Sequence, residues 1–389
     1  MGGVSEQVTA KLFMPGVRQE RHRSGSKASD GFGLGKGYLM TTAYVNKIST
    51  AVPTNEVHQL LCDNLLEVTQ LKRHRLLLEK VIPQCQISSR YSVLDQPSEF
   101  YGSDPDAVST AARMAAYKEA APDLAARAVA GLDIDDIAAD ITHIVVITCT
   151  GFFSPGLDLE LIKRFGINPN AERTTVGFMG CFAGVNGLKF ANHIVRSEPN
   201  AKVLVLSLEL CSLHLQMPKN LEMSISSLLF ADGCAAALIT SEEQGIGLDS
   251  FTALVVPDTH DQMSWHIGDT GFDMVLSRRV PGALKDALNA ENTKIILNGA
   301  QTDSIDLWAV HPGGRLILDS VEEALELGST DLRYSRDILD RFGNMSSATI
   351  FFVLQQMMNA SDGANSGKRG CGMAFGPGLT AETLLFHIA

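Results

Sequence analysis

The sequence predicts an α/β fold of stacked sheet and helix layers, arranged as two similar halves. Three observations predict it. Short runs rich in Val, Ile and Leu, "ITHIVVITCTG" (141–151), "AKVLVLSLEL" (201–210) and "GCAAALIT" (233–240), show no polar alternation, as expected of strands covered on both faces. Helical stretches lie between them, "DLELIKRF" (158–165) and "CFAGVNGLKFANHIVRS" (181–197). The same alternation returns after residue 250, without a repeat at a fixed period.

Taken in order, residues 1–38 are polar, glycine-rich and charged ("RQERHRSGSKASDGFGLGKG") and are expected to form a disordered arm. Ordered sequence begins near Tyr38. "YVNKISTAVP" reads as a strand ending at Pro53, and "TNEVHQLLCDNLLEV" as a helix with Thr54 as its N-cap. Residues 107–129 are alanine-rich and helical, with a break expected at Pro122. In the second half, a helix over 282–297 precedes the strand "IDLWAVH" (305–311). Helices over 314–327 and 346–359 follow, then the strands "GCGMAFG" and "TLLFHIA". The expected halves are 39–245 and 246–389.

Bulk properties narrow the function classes. The 389 residues are 45% hydrophobic and 20% charged, ordinary for a globular protein. A formal net charge of -12 argues against non-specific nucleic-acid binding. Seven cysteines are scattered, with no CxxC pair and no zinc-type cluster, so a reducing compartment without a disulfide framework is expected. No signal peptide or membrane span is visible, and a cytoplasmic location is expected.

One cysteine stands apart. In "TTVGFMGCFAGVNGLKFANHIV" (174–195), Cys181 follows Gly180 at the start of a helix. A helix N-terminus favours a thiolate, and small neighbours let a substrate approach. Alone, the residue reads more readily as a buried thiol, the usual state of a free cysteine. His311 ends the strand "DLWAVH" before "PGG", where α/β folds place chemistry, and reads as a base or as a strand cap. Asn344 in "RFGNMSSATI" reads as an oxyanion donor or as a helix cap. Local spacing cannot join the three.

The stretches "GCFAGVNGLK", "WAVHPGGRLILDSVE", "RFGNMSSATIFFVL" and "AFGPGLTAETLL" closely resemble type III polyketide synthases, the chalcone synthase superfamily. The likeness runs in order from about residue 40 to the C-terminus. It implies the thiolase fold, two related βαβαβ halves in an α-β-α-β-α layering, and a homodimer. It implies no bound cofactor, because the substrates are coenzyme A thioesters: an acyl-CoA starter and malonyl-CoA. It implies that Cys181, His311 and Asn344 are the catalytic triad, with a thiolate–imidazolium pair formed by the first two. Phe230 matches a gate phenylalanine. The run Phe375, Gly376, Pro377 and Gly378 matches a cavity-shaping loop, preceded by Ala374 where the family usually has glycine.

The likeness also has departures. Met274 stands where plant members carry a second gate phenylalanine. Cys211 and His214 occupy wall positions held there by threonine, and Cys149 takes another wall position. Such non-aromatic, sulfur-bearing walls resemble those of bacterial alkylpyrone and alkylresorcinol synthases and suit a medium- or long-chain fatty acyl starter. The coenzyme A phosphates are expected at Lys72, Arg73, Arg75 and Lys80. Ser154 replaces a methionine that reaches into the partner's cavity in plant enzymes. Two other readings remain: an initiating β-ketoacyl-acyl carrier protein synthase performing a single condensation, and an inactive thiolase-fold binding protein.

Overall fold

The apolar runs form strands, and alternate side chains of each strand point into different cores. The computed structural model describes residues 41–102, 104–360 and 363–389. The arm expected over 1–38 lies outside them. The strands are β1 (Ala43–Ala51), β2 (Asn55–Glu56), β3 (Tyr91–Ser92), β4 (His143–Thr148), β5 (Glu172–Gly177), β6 (Val203–Leu210) and β7 (Asp232–Thr240). They continue with β8 (Ile246–Val255), β9 (Met263–Gly268), β10 (Gly271–Leu276), β11 (Leu307–Val310), β12 (Arg369–Gly376) and β13 (Thr380–Ile388). The first six α-helices are α1 (His58–Val68), α2 (Lys72–Val81), α3 (Pro97–Tyr101), α4 (Thr110–Ala130), α5 (Leu157–Phe165) and α6 (Ala183–Ser197). The others are α7 (Leu221–Ser227), α8 (Val280–Ala287), α9 (Ala290–Ile296), α10 (Arg315–Ala324), α11 (Arg333–Phe342) and α12 (Thr349–Met358).

Among the described residues, nine strands form one sheet in the order β11-β12-β13-β8-β1-β7-β6-β4-β5. The two halves repeat one pattern. β4 pairs parallel with β6, β6 antiparallel with β7, and β7 antiparallel with β1. In the second half β11 pairs parallel with β12, β12 antiparallel with β13, and β13 antiparallel with β8. Antiparallel pairing of β1 with β8 joins the halves. Residues 40–389 group as one compact unit.

Side-chain alternation builds the layers. Val145, Ile147, Val203 and Val205 face a central core with Ala309, Leu384 and Phe386 of the other half, around α6 and α12. Their neighbours Ile144, Val146, Leu204 and Leu206 face α4 and α5. Trp308, Val310 and Met373 face α8 and α10. The two halves of the one hydrogen-bonded sheet thus supply two layers, and the stack is helix, sheet, helix, sheet, helix. α12, "TIFFVLQQMM", has buried residues all round because it lies in the middle layer.

Three local expectations are corrected. α4 runs unbroken through Pro122. Losing one helical bond costs about 3 kcal/mol, and burial of Leu124 and Val129 beyond the proline offsets it at roughly 1.5–3 kcal/mol each. The helix expected over 282–297 is two helices, because the Asn289 side chain accepts from Glu291 N–H and Asn292 N–H and caps α9. Thr54 is not a cap: α1 starts at His58, whose N–H is taken by Glu56 Oε1 at 2.8 Å.

Candidate active site

The pseudo-repeat carries the site residues to one place. Cys181 lies two residues before α6, and Asn344 lies just before the short turn that opens α12. His311 follows β11 by one residue, as Cys149 follows β4. Cys181, His311, Asn344 and Cys149 all line one cavity of about 400 Å³.

Gly180 takes φ +87°, and a side chain there would meet Pro377 Cδ at 2.2 Å. The glycine beside the cysteine therefore admits the 374–378 loop. The space expected for substrate at this position is filled by Pro377.

Cys181 is partly exposed to the cavity. Enclosure of its sulfur pushes the thiol up to about 11; hydrogen bonding by Ser346 and Asn344 opposes the rise, and the Glu209 charge adds to it. His311 is buried, and neither ring nitrogen has a hydrogen-bond partner. Burial pushes its imidazole down to about 3. Enclosure thus works against the charged form of each member of the expected thiolate–imidazolium pair. His311 has no hydrogen bond to offset this, whereas Ser346 and Asn344 offset it in part at Cys181. A neutral imidazole can still accept the thiol proton as the sulfur attacks. Two orphaned nitrogens on the wall of a cavity are positioned to bind an incoming polar group.

Asn344 is oriented by its own loop. Its Oδ1 accepts Ser346 N–H at 2.8 Å, and its Nδ2 donates to Gly313 O at 3.3 Å. The amide nitrogen, not the oxygen, is left as the donor toward the cavity. Phe230 lines the same cavity.

The wall is more aromatic than expected. Cys149, Cys211, His214 and Met274 do line the cavity, but so do Trp265 and Phe272. His214 stacks on Phe272 at 4.1 Å between ring centroids, and Trp265 packs edge-on against both. His214 Nε2 donates to Thr150 O at 2.7 Å, and its Nδ1 accepts Phe272 N–H at 3.1 Å. Burial pushes that ring down to about 4. Met274 pairs across strands with Trp265, whose indole donates to Cys149 O at 2.8 Å. The reading of a non-aromatic wall overlooked the β9–β10 hairpin, whose short, half-exposed strands carry little apolar signal.

Of the loop residues, Phe375 and Pro377 line the cavity, and Gly376 and Gly378 do not. Gly376 backs onto the Phe182 ring, and Gly378 N–H bonds to Met263 O. Ala374 is buried in the central core, and Ser154 is exposed and outside the cavity wall. Lys72, Arg73, Arg75 and Lys80 are exposed along α2, and none lines the cavity. Arg75 pairs with Glu79 at 3.4 Å within the same helix. The arginines on the cavity wall are Arg278 and Arg315.

Glu209 was not marked by motif, although a lone carboxylate in "VLVLSLEL" is itself a signal. It is fully buried and accepts from Cys149 N–H at 2.9 Å, from the Thr150 hydroxyl at 2.7 Å and from the Ser347 hydroxyl. Burial raises its carboxyl to about 7, against those hydrogen bonds.

Comparison with known proteins follows the geometry. The sequence pattern of the chalcone and stilbene synthases matches as the N-terminal domain over residues 38–243 and as the C-terminal domain over 248–389. The chain is 32% identical over 364 residues to the alpha-pyrone synthesis polyketide synthase-like Pks18 of Mycobacterium tuberculosis, covering 90% of this chain and 92% of that protein. It is 33% identical over 374 residues to bisdemethoxycurcumin synthase of Oryza sativa subsp. japonica, covering 89% and 92%. The crystal structure of PKS-I from the brown alga Ectocarpus siliculosus superposes with a TM-score of 0.81 at 28% identity, covering 91% of this chain and all of that one.

Proposed function

The chain belongs to the chalcone and stilbene synthase family, and from that premise we propose how this type III polyketide synthase, an acyltransferase, uses its residues and which starter it takes. The observation that carries the reading is the convergence of Cys181, His311 and Asn344 on one cavity, with both His311 nitrogens unpartnered.

Cys181 attacks the starter thioester while His311 takes the thiol proton, and coenzyme A leaves. Malonyl-CoA then loses carbon dioxide, and the electron pair passes to an enolate. The Asn344 amide and the protonated His311 ring donate to its oxygen, each such donor being worth roughly 10²–10³ in rate. The carbanion attacks the acyl-Cys181 thioester and expels the sulfur. The lengthened chain returns to Cys181 for the next round, and ring closure releases a pyrone or resorcinol-type product. The apolar wall, with Phe230 in it, limits hydrolysis of these intermediates.

Support for a medium- or long-chain fatty acyl starter comes from Val81, Ile225, Val280 and Ile317, aliphatic residues that line the cavity outside the β9–β10 hairpin. The name of the mycobacterial relative, an alpha-pyrone synthesis enzyme, favours a pyrone product. The reading calls for no bound cofactor, since His311 and Asn344 handle the developing charge. A homodimer is part of it. β5 closes one edge of the sheet with residues 172–175 exposed, and Phe152 and Met179 are exposed at 40% and 42%. A second copy would cover these groups. Among the described residues no helix is long and apolar enough to cross a membrane. Seven free cysteines favour a reducing, cytoplasmic setting.

The test is product mass spectrometry with malonyl-CoA and starters from acetyl-CoA to long fatty acyl-CoA, plus an aromatic acyl-CoA. Multiply extended pyrones or resorcinols from long chains are expected. Products only from short or aromatic starters would overturn the starter reading. A requirement for a carrier protein would overturn the use of coenzyme A substrates.

A further inference from the structure

Beneath the site lies a cation that the chemistry above does not use. Arg90 is 0% exposed. Its Nη1 donates to Ser227 O at 2.8 Å and to Phe230 O at 3.2 Å. Its Nε donates to His58 Nδ1 at 3.1 Å, and its Nη2 faces Cys62 Sγ at 3.9 Å. None of these partners is a carboxylate. The Glu56 carboxylate lies nearby and accepts the Arg90 backbone N–H at 3.2 Å, but the guanidinium itself is held by neutral groups, a costly burial.

That geometry concerns two site residues at once. Ser227 ends α7, where carbonyls lack helical partners, and Phe230 is the cavity residue three positions on. The guanidinium grips both ends of this turn. The turn is bonded in turn to Asn344: Asn344 N–H donates to Leu229 O at 2.8 Å, and Ala231 N–H donates to Asn344 O at 2.9 Å. The stem of Arg90 also lies under Gly343, which takes φ +67°. A side chain there would meet Arg90 Cγ at 2.9 Å. The arginine thus touches the segments carrying Phe230 and Asn344 and does not line the cavity.

We propose that Arg90 is a positioning residue for elongation: by holding the Ser227–Phe230 turn and backing Gly343, it sets the Phe230 ring and the Asn344 amide against Cys181. The proposal rests on the polyketide synthase reading. Starter loading depends chiefly on Cys181 and His311, and decarboxylation and condensation depend on the Asn344 donor. A shift of the turn therefore slows elongation more than loading. A misplacement of about 1 Å costs on the order of 10²-fold in rate.

The experiment compares wild type, Arg90→Met and Arg90→Lys. Acylation of Cys181 by a starter is followed by intact mass, and elongation by kcat and KM for malonyl-CoA with product analysis. For Arg90→Met, loading is expected within about 2-fold of wild type, with elongation kcat down about 10- to 100-fold, KM for malonyl-CoA nearly unchanged, and more hydrolysed starter. Arg90→Lys keeps the charge but offers one ammonium for two carbonyls, so part of the elongation rate is expected back. Equal elongation in wild type and Arg90→Met overturns the proposal. So does a parallel fall of loading and elongation, which a merely structural role would give. If Arg90→Met does not fold, Arg90→Lys is read alone by the same loading-to-elongation ratio. A wild-type protein that makes no product with any starter would sink the polyketide synthase reading itself, whatever the variants do.

Discussion

Phe230 and Asn344 are joined backbone to backbone by an isolated parallel bridge. The aromatic wall residue and the amide donor are therefore one mechanical unit, although they come from different halves of the chain. The bridge holds Asn344 N–H and C=O, which leaves only its side chain to meet substrate.

Replacing that side chain tests its role. Asn344→Ala keeps the bridge, since the backbone is unchanged, and removes one donor. Elongation is expected to fall by roughly 10²–10³ in single-turnover kinetics, with starter loading affected much less. A loss confined to loading would place Asn344 in a different step.

Cys181→Ala is expected to abolish the acyl adduct seen by intact mass, and all chain growth with it. Malonyl-CoA decarboxylation is expected to persist at a reduced rate, because His311 and Asn344 remain. An acyl adduct on the variant would assign the nucleophile elsewhere.

Glu209 predicts a pH dependence of stability. Its carboxyl is raised from 4.5 to about 7 in the folded protein. Between these values the folded chain holds a proton that the unfolded chain has released. Stability from this group is therefore present below pH 4.5 and is lost as pH rises through 7. Glu209→Gln removes the effect, so its melting temperature relative to wild type should climb between pH 5 and pH 8. The climb corresponds to on the order of 2–3 kcal/mol. A constant difference across that range contradicts the assignment.

Arg278 and Arg315 are the cavity-lining arginines, whereas the α2 cations are exposed and do not line it. Alanine at both arginines is expected to raise KM for coenzyme A thioesters roughly tenfold, with kcat little changed. Alanine at Lys72, Arg73 and Arg75 is expected to leave KM within about 2-fold, as for a solvated helix face. The opposite pattern, read by steady-state kinetics, would return the phosphate site to α2.

Trp265 lines the cavity edge-on to the stacked His214 and Phe272 rings. Trp265→Ala is expected to lengthen the product by at least one extension, measured by mass spectrometry of the product mixture. An unchanged distribution would mean that the indole does not limit growth.

Much of this was legible in the residues. The buried strands announced themselves because β-branched and leucine runs without polar alternation have few other uses. "GCFAGVNGLK", "HPGG" and "GNMSS" marked Cys181, His311 and Asn344. The β9–β10 hairpin was missed because half-exposed strands lack that signature, and Trp265 and Phe272 were missed with it. Pro122 misled because a helix packed along a sheet can bear the loss of one hydrogen bond.

By itself, the sequence determined the buried strands, the family and the three candidate catalytic residues, because these depend on side-chain type and on spacing along the chain. The tertiary structure alone decided that Pro377 occupies the space beside Gly180, that the α2 cations lie outside the cavity wall, and that Cys181 and His311 sit where enclosure disfavours their charged forms. Each of these depends on distance and enclosure between segments far apart in sequence. Desolvation and packing act through space, and spacing along the chain does not encode them.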